Sequence, residues 1–247
     1  MNGVSDAGAD RAQHPYRRPR DAAALILIDR SGRVPKILVG KRHHGLVFMP
    51  GRLVFPGGRV DPTDNRIPLA SALPKALEKR LQDGSPKIEA ARARALVTAA
   101  IREVCEETGL CLGRKVTSKV EAAQAMRLSG AWTPFAEAGL LPDPSQLYLI
   151  ARAITPPGNI RRYDARFFTA EASAIAHEVK GIVHADAELV ELVWIELGAP
   201  PLADMHPITR RVLAELEKRL EAGPLSHRHP ELPFFHYRAG AMQRDVI

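Results

Sequence analysis

Three glutamates, three and four positions apart, are the residues of this chain with the clearest chemical potential. They are Glu103, Glu106 and Glu107, and Gly109 follows them. An α-helix turns about 100° per residue, so this spacing places all three carboxylates on one helix face. Glycine commonly ends a helix because it tolerates the left-handed conformation found there. The three glutamates are therefore expected in the last turn of a helix that stops at Gly109.

This placement is electrostatically unfavourable in the absence of a partner. The helix dipole is negative at the carboxyl end, and like charges four residues apart repel each other. A bound Mg²⁺ or Mn²⁺ ion would reverse the sign of this interaction, because hard cations take carboxylate oxygens as ligands. A solvated acidic helix face is the alternative interpretation of the same residues.

The side of this helix that faces away from the glutamates is apolar. Four residues on that side are expected to pack on a core: Val97, Ile101, Val104 and Cys105. Proline suits a first helical position, so we expect the helix to begin near Pro86 and to end at Thr108. At 1.5 Å per residue its length is roughly 34 Å.

The glutamate segment also carries a family resemblance. Residues Arg102 to Leu110 read R-E-V-C-E-E-T-G-L, and they resemble the box of the Nudix hydrolases, G-x5-E-x7-R-E-U-x-E-E-x-G-U, where U is aliphatic. The first half of the box resembles the stretch from Phe55 to Asp64. Two features differ from the family pattern. Asp64 stands in place of glutamate, and 37 residues separate it from Arg102 where the family has seven.

The resemblance implies an α/β fold, namely a Nudix-type α/β/α sandwich around a mixed sheet, with a helical insertion inside the box. It implies that Glu103, Glu106 and Glu107 bind magnesium or manganese while water attacks a diphosphate linkage. Glu106 is either a further ligand or the residue that activates water. Arg102 is given a supporting role, in which it pairs with a carboxylate and fixes the helix.

A general base outside the box is a further implication, since some family members supply one from a later loop. Glu188, just before a predicted strand, is our candidate for this role. A solvated loop carboxylate is the alternative interpretation of Glu188.

The residues before the glutamate helix resemble one branch of the family, the long-insertion branch that includes the peroxisomal coenzyme A diphosphatases. Its coenzyme A signature ends in G-x-x-x-F-P-G-G, which Gly51 and the stretch Phe55 to Gly58 match. The earlier part of that signature carries an Arg-Ser pair, where this chain has Arg42-His43. The resemblance implies a diphosphatase for coenzyme A or acyl-coenzyme A. The alternatives are NADH, ADP-ribose, other nucleotide sugars or damaged nucleotides as substrates, and a non-catalytic Nudix-fold binding module.

Two glycines and two arginines are the candidate substrate-binding residues. Gly57 and Gly58 allow the backbone to approach a ligand closely. Arg42 and Arg52 lie near this pair in the sequence and could meet substrate phosphates through bidentate contacts. Ordinary solvated charges at strand ends are the alternative interpretation of both arginines.

Charge and hydropathy limit the classes of partner. The formal net charge of +7 favours anionic partners such as a small-molecule diphosphate. Nucleic acid would also fit this charge, but the basic amino terminus has a single aromatic residue, Tyr16, and no alternation of aromatic and basic residues, so we do not expect nucleic acid as a partner. The longest apolar run, Ala22 to Ile28, is far shorter than the roughly 20 residues that cross a bilayer, so no membrane association is expected. A homodimer is left open.

The two cysteines bear on the redox state of the protein. Cys105 and Cys111 are too few for a disulfide scaffold and are predicted to be reduced thiols of a cytoplasmic protein.

The composition of successive segments predicts the organisation of the chain. Residues 1–20 are predicted to form a disordered basic tail, 21–222 the Nudix domain with its insertion at about 65–94, and 223–247 an irregular extension. Strands are predicted at Ala22–Asp29, Lys36–Lys41, Leu53–Phe55, Gln146–Ile154, Arg166–Thr169 and Val190–Ile195, with further helices within Pro68–Gln82, Lys119–Leu128 and Pro201–Leu220 and a loop at Trp132–Pro144.

Overall fold

The computed structural model describes residues 17–83, 88–199, 203–227, 229 and 231–247. Within these ranges the strands are β1 Arg20–Asp29, β2 Lys36–Arg42, β3 Leu53–Val54, β4 Gly57–Arg59, β5 Leu110–Lys115, β6 Leu140–Pro142, β7 Tyr148–Ile154, β8 Tyr163–Glu171, β9 Ile175–Glu178, β10 Leu189–Glu196, β11 Pro233–Arg238 and β12 Ala241–Val246. The α-helices are α1 Lys75–Asp83, α2 Ala90–Thr108, α3 Lys119–Ala125, α4 Thr133–Glu137 and α5 Pro207–Ala222.

A mixed sheet forms the centre of the fold, with the strand order β10-β2-β1-β8-β7-β11-β12. Strand β3 pairs with β2, and β4 pairs with β1. β1 is parallel to β8 and antiparallel to β2 and β4. A smaller sheet has the order β6-β5-β9. The mixed α/β class predicted from the sequence is confirmed.

The apolar run in β1 is buried on both faces, which explains why it lacks the alternation of a half-exposed strand. Leu25 and Leu27 belong to the core cluster that contains α2. Ile26 and Ile28 belong to the cluster that contains α5. The sheet therefore lies between two helical layers, as the α/β/α prediction required.

Helix α2 ends where the sequence placed its end but begins later. Gly109 adopts a left-handed conformation with φ of 78°, and its N–H donates to the carbonyl of Cys105 at 2.9 Å. The helix starts at Ala90, with Glu89 in extended conformation as the cap. The expected start near Pro86 falls outside the described residues. The four predicted core residues on the apolar side of the helix are all buried.

The insertion contributes one helix, α1, whose Leu77 and Leu81 are buried. The prediction of helical structure from Pro68 onward is wrong for the first part of that range. Pro74 explains the difference, because proline cannot stand inside a helix and disfavours helical conformation in the residue before it. α1 accordingly begins directly after Pro74, whose carbonyl accepts the N–H of Leu77.

Two predictions of irregular structure are also wrong. The segment 133–142 contains α4 and β6 instead of a loop, and both elements are only a few residues long. The predicted irregular extension contains β11 and β12, a hairpin that joins the main sheet beside β7. Ala239 and Gly240 turn this hairpin with positive φ angles. The predicted disordered tail falls largely on residues 1–16, outside the described residues, while Arg20 already belongs to β1.

The cysteines are the remaining correction, since the prediction of two reduced thiols is wrong. Cys105 and Cys111 form a disulfide. Cys105 lies in the last turn of α2, and the chain reverses at Gly109 into β5, which brings Cys111 back against the helix. Their Cα atoms are 4.6 Å apart, within the normal range for a disulfide.

Across the described residues, none of the helices combines the length and the apolar character that a membrane span needs.

The disulfide makes a direct prediction about thiol content. Protein denatured without reductant should show no free thiol to Ellman's reagent, and reduced protein should show two. Because the closed loop spans six residues, Cys105→Ala is expected to lower the free energy of unfolding by about 2 kcal/mol through the lost constraint on the unfolded chain. Detection of two thiols before reduction would contradict the pairing.

Candidate active site

Strand β4 brings two glycines against the acidic end of α2. Gly57 pairs with Ala24 of β1, and its N–H donates to Oε2 of Glu107 at 2.9 Å. A Cβ atom at Gly58 would lie 2.5 Å from Oε2 of Glu103. A side chain at this position would therefore displace the Glu103 carboxylate from the place it occupies.

Glu103 and Glu107 are both poorly solvated, and this affects their protonation. Burial raises the pKa of Glu103 to about 7, with Arg102 opposing the rise and Glu106 and Glu188 adding to it. Burial also raises the pKa of Glu107 well above its ordinary value; the charge of Glu188 adds to the rise, and the N–H of Gly57 opposes it. In this position both carboxylates are costly as anions unless a cation is close.

Arg102 is the side chain that gathers the acidic residues around it. Its guanidinium donates to Asp64 at 2.9 and 3.0 Å, to Glu103 at 2.8 Å and to Glu106 at 2.6 Å. It also donates to the carbonyl of Arg59 at 2.8 Å. Asp64 is fully buried and accepts Arg102 in a bidentate pair, so the shorter aspartate reaches the arginine. The pair forms across the insertion, whose helix α1 packs its Leu77 and Leu81 into the same core cluster as α2.

The fourth carboxylate of the site comes from the loop before β10. Glu188 lines a cavity of about 210 Å³ together with Ile182, Ala187 and the three glutamates of α2. We call this space the carboxylate cavity. The structure thus brings together the four glutamates that the sequence analysis named as candidate metal ligands or general base.

The two candidate substrate-binding arginines do not line the carboxylate cavity. Arg42 is 8% exposed; it forms an ion pair with Glu188 at 3.0 Å and donates to the carbonyl of Phe48. Arg52 is exposed, and its carbonyl accepts the N–H of Arg42 at 3.0 Å. The partners of Arg42 could not be found from spacing, because Glu188 lies far along the chain.

A second concavity was missed by the sequence reasoning. It has a volume of about 650 Å³ and lies at the amino-terminal end of α2, at the end of the helix opposite the glutamates. Its arginines include Arg20, Arg59 and Arg92, and Arg92 is paired with Asp21. Although it is larger than the carboxylate cavity, it lacks a cluster of buried acids, so the chemistry is assigned to the smaller site.

Comparison with known proteins shows the fold. The structure of a NUDIX hydrolase from Alicyclobacillus acidocaldarius matches with a TM-score of 0.54 and 24% identity, over 86% of this chain and 99% of that one. A MutT NUDIX hydrolase from Burkholderia pseudomallei matches with a TM-score of 0.44 and 18% identity, over 81% and 99%. The NUDIX domain of Shewanella oneidensis NrtR, complexed with ADP ribose, matches with a TM-score of 0.42 and 12% identity, over 83% and 90%. This chain has the Nudix fold. No protein-family model and no curated protein matches it.

Within this Nudix fold, the residues at the carboxylate cavity fit a hard divalent cation in their chemistry. Four carboxylates supply oxygen ligands, and the two most buried ones are strained as anions. As they stand, no three His, Cys, Asp or Glu side chains among the described residues are gathered closely enough to hold a metal ion. Arg102 holds one oxygen each of Glu103 and Glu106. Binding of one ion through all three glutamates therefore requires these side chains to move closer together.

The buried pair of Asp64 and Arg102 predicts a stability effect. Asp64→Asn is expected to lower the free energy of unfolding by about 2 kcal/mol, because the amide oxygen can replace only one of the two carboxylate oxygens that Arg102 contacts, and the amide NH2 then faces the guanidinium at a fully buried position. Urea denaturation followed by circular dichroism measures this. Asp83→Asn is the control, since its exposed pair with Lys79 should contribute less than about 0.5 kcal/mol. Equal effects of the two variants would contradict the role of Asp64.

Proposed function

We propose that this protein is a divalent-metal-dependent hydrolase that cleaves a diphosphate linkage in a nucleoside-diphosphate-X substrate. The observation that carries the proposal is the carboxylate cavity, where the last turn of α2 and the loop before β10 place four glutamates around one space. The glycines of β4 lie against two of these glutamates: the N–H of Gly57 donates to Glu107, and Gly58 lies beside the Glu103 carboxylate. A Nudix fold is consistent with this chemistry and does not by itself establish it.

The residues of the chain divide the work by position. Glu103, Glu106 and Glu107 are the proposed ligands of Mg²⁺ or Mn²⁺, and the ion would neutralise diphosphate oxygens and lower the pKa of bound water. Arg102 holds the end of the helix in place through Asp64 and keeps the carboxylates at the cavity between cycles. The backbone of Gly57 and Gly58 gives the substrate close access to this site.

Glu188 is the proposed acceptor of the proton from the attacking water. The water oxygen forms a bond to one phosphorus, the bond from that phosphorus to the bridging oxygen breaks, and the bridging oxygen leaves with the other phosphate. The position of Glu188 at the cavity supports this role, because a general base must reach the water that attacks. Its side chain is half exposed, which keeps a path open for the proton to leave.

Coenzyme A or acyl-coenzyme A is the proposed substrate, on the match of Gly51 and of Phe55 to Gly58 to the coenzyme A signature. NADH, ADP-ribose, other nucleotide sugars and damaged nucleotides are the alternatives within the same reaction class. A binding module without catalysis is not favoured, because Glu103, Glu106 and Glu107 are all present. Asp64, which differs from the family pattern, still forms a bidentate pair with Arg102.

Metal binding gives the first test. Mn²⁺ at about 100-fold its dissociation constant should stabilise the protein by about 2.7 kcal/mol, since it binds only the folded state. Glu107→Gln should fold, because the amide oxygen can still accept the N–H of Gly57, yet lose this stabilisation. Differential scanning fluorimetry and isothermal titration with Mn²⁺ measure both effects. Glu137→Gln, an exposed glutamate at the end of α4, is the matched control. An undiminished Mn²⁺ response in Glu107→Gln would contradict the ligand assignment.

A substrate panel gives the second test. The protein is incubated with Mg²⁺ and coenzyme A, NADH, ADP-ribose or a nucleoside triphosphate, and the products are separated by chromatography. Coenzyme A is expected to yield 3′,5′-ADP and a phosphopantetheine, and Glu107→Gln should abolish the turnover. Faster turnover of another compound would overturn the coenzyme A assignment alone. Absence of turnover on the whole panel would overturn the hydrolase proposal.

A further inference from the structure

Arg42 makes contacts that its position in the sequence did not suggest. It is the last residue of β2, and its Nη1 lies 3.0 Å from Oε1 of Glu188. Its Nε donates to the carbonyl of Phe48 at 3.0 Å, within the loop that follows β2. The guanidinium is therefore held by a carboxylate on one side and by a backbone carbonyl on the other.

The backbone reinforces the connection between Arg42 and Glu188. The N–H of His43 donates to the carbonyl of Glu188 at 3.0 Å. Leu189, the next residue, is the register partner of Arg42 where β10 pairs with β2. The main chain of Glu188 is thus fixed by β2, and its half-exposed side chain is fixed by the arginine of the same strand.

Arg42 and Glu188 differ in exposure, and this difference indicates which side chain orients the other. The Arg42 side chain is 9% exposed, whereas the Glu188 side chain is 50% exposed. A half-exposed glutamate normally samples several rotamers, and this freedom is lost when a rigid donor holds it. Because Arg42 is the buried and anchored partner, the contact orients Glu188 and not the reverse.

These contacts also bear on the expected contact of Arg42 with substrate phosphates. The guanidinium is committed to Glu188 and to the carbonyl of Phe48, and it does not line the carboxylate cavity. Phosphate binding by Arg42 would have to use Nη2 of a side chain that is only 9% exposed, or break the ion pair and leave Glu188 without its anchor.

We propose that Arg42 is a positioning residue, which holds the Glu188 carboxylate over the carboxylate cavity and does not bind the substrate. The inference rests on the proposed hydrolase function and on Glu188 as its base. The same guanidinium joins Glu188 to the loop that follows β2, whose Phe48 packs edge-on against Tyr163 with ring centroids 5.4 Å apart. Arg42 is thus the point at which this loop and the base are connected.

A double-mutant cycle tests the inference, with kcat and KM measured on coenzyme A and ADP-ribose. Glu188→Gln is expected to lower kcat by about 10²- to 10⁴-fold, as for loss of a general base. Arg42→Gln should lower kcat by at least about tenfold with KM within about threefold, because transition-state stabilisation is lost and substrate binding is kept. The double variant should be no slower than Glu188→Gln, because Arg42 acts only through that carboxylate.

Two further variants keep the test decisive if Arg42→Gln folds poorly. Arg42→Lys retains the charge that faces Glu188 and should recover part of kcat, although it loses the contact with Phe48. Arg30→Gln removes an exposed arginine paired with Glu171 and should leave kcat unchanged. Titration with Mn²⁺ should give the same dissociation constant for Arg42→Gln and the wild type, which separates positioning of the base from loss of the metal site.

The outcomes separate the inference from the function on which it rests. Independent, multiplicative losses in the double variant, or a raised KM with kcat unchanged, would overturn the positioning role and restore Arg42 as a substrate contact. A wild-type protein that is inactive on the whole substrate panel would overturn both the inference and the proposed hydrolase.

Discussion

The arrangement of the site depends on an accumulation of negative charge at the buried end of one helix. Arg102 contacts Asp64, Glu103 and Glu106, Arg42 pairs with Glu188, and Glu107 accepts the N–H of Gly57. Glu103 and Glu107 have raised pKa values because they are poorly solvated. Two arginines thus face five carboxylates. A further cation would reduce this imbalance, and the oxygen donors at the cavity are those a hard divalent ion prefers.

The carboxylates of Glu103 and Glu107 lie against strand β4, where two glycines carry no side chains. β4 lies between β1 and the end of α2: Gly57 packs closely on β1 while its N–H donates to Glu107, and Gly58 leaves room for the Glu103 carboxylate. β1, which β4 pairs with, is buried on both faces and packed between the two helical layers. The acidic residues are therefore fixed by the most constrained part of the fold, which suits ligands that must converge on one point.

The end of α2, its acidic face and strand β1 could be predicted from the sequence alone. The helix end at Gly109, the acidic face and the buried strand β1 each follow from a few neighbouring residues and agree with the structure. Features that depend on tertiary contacts, or that lack an apolar pattern, could not be predicted from neighbouring residues. The disulfide of Cys105 needs the reversal after α2, and the strand Ala241–Val246 is mostly exposed, so it carries no apolar alternation. The ion pair of Arg42 joins residues that are distant in the chain.

Glu188 differs from the helical glutamates in how its side chain is held. Side chains of α2 are oriented by the helix and by the adjacent β4. Glu188 precedes β10, which lies at the edge of the main sheet and, among the described residues, pairs there with β2 alone. A carboxylate at such an edge has one neighbouring strand from which it can be held. Arg42 ends that strand, is buried and reaches Glu188, so it occupies the position from which an otherwise mobile base can be oriented toward the ligands on the helix. Two separate features therefore orient the side chains of the site. Helix α2 orients the proposed metal ligands, and the ion pair with Arg42 at the edge of the sheet orients the proposed base.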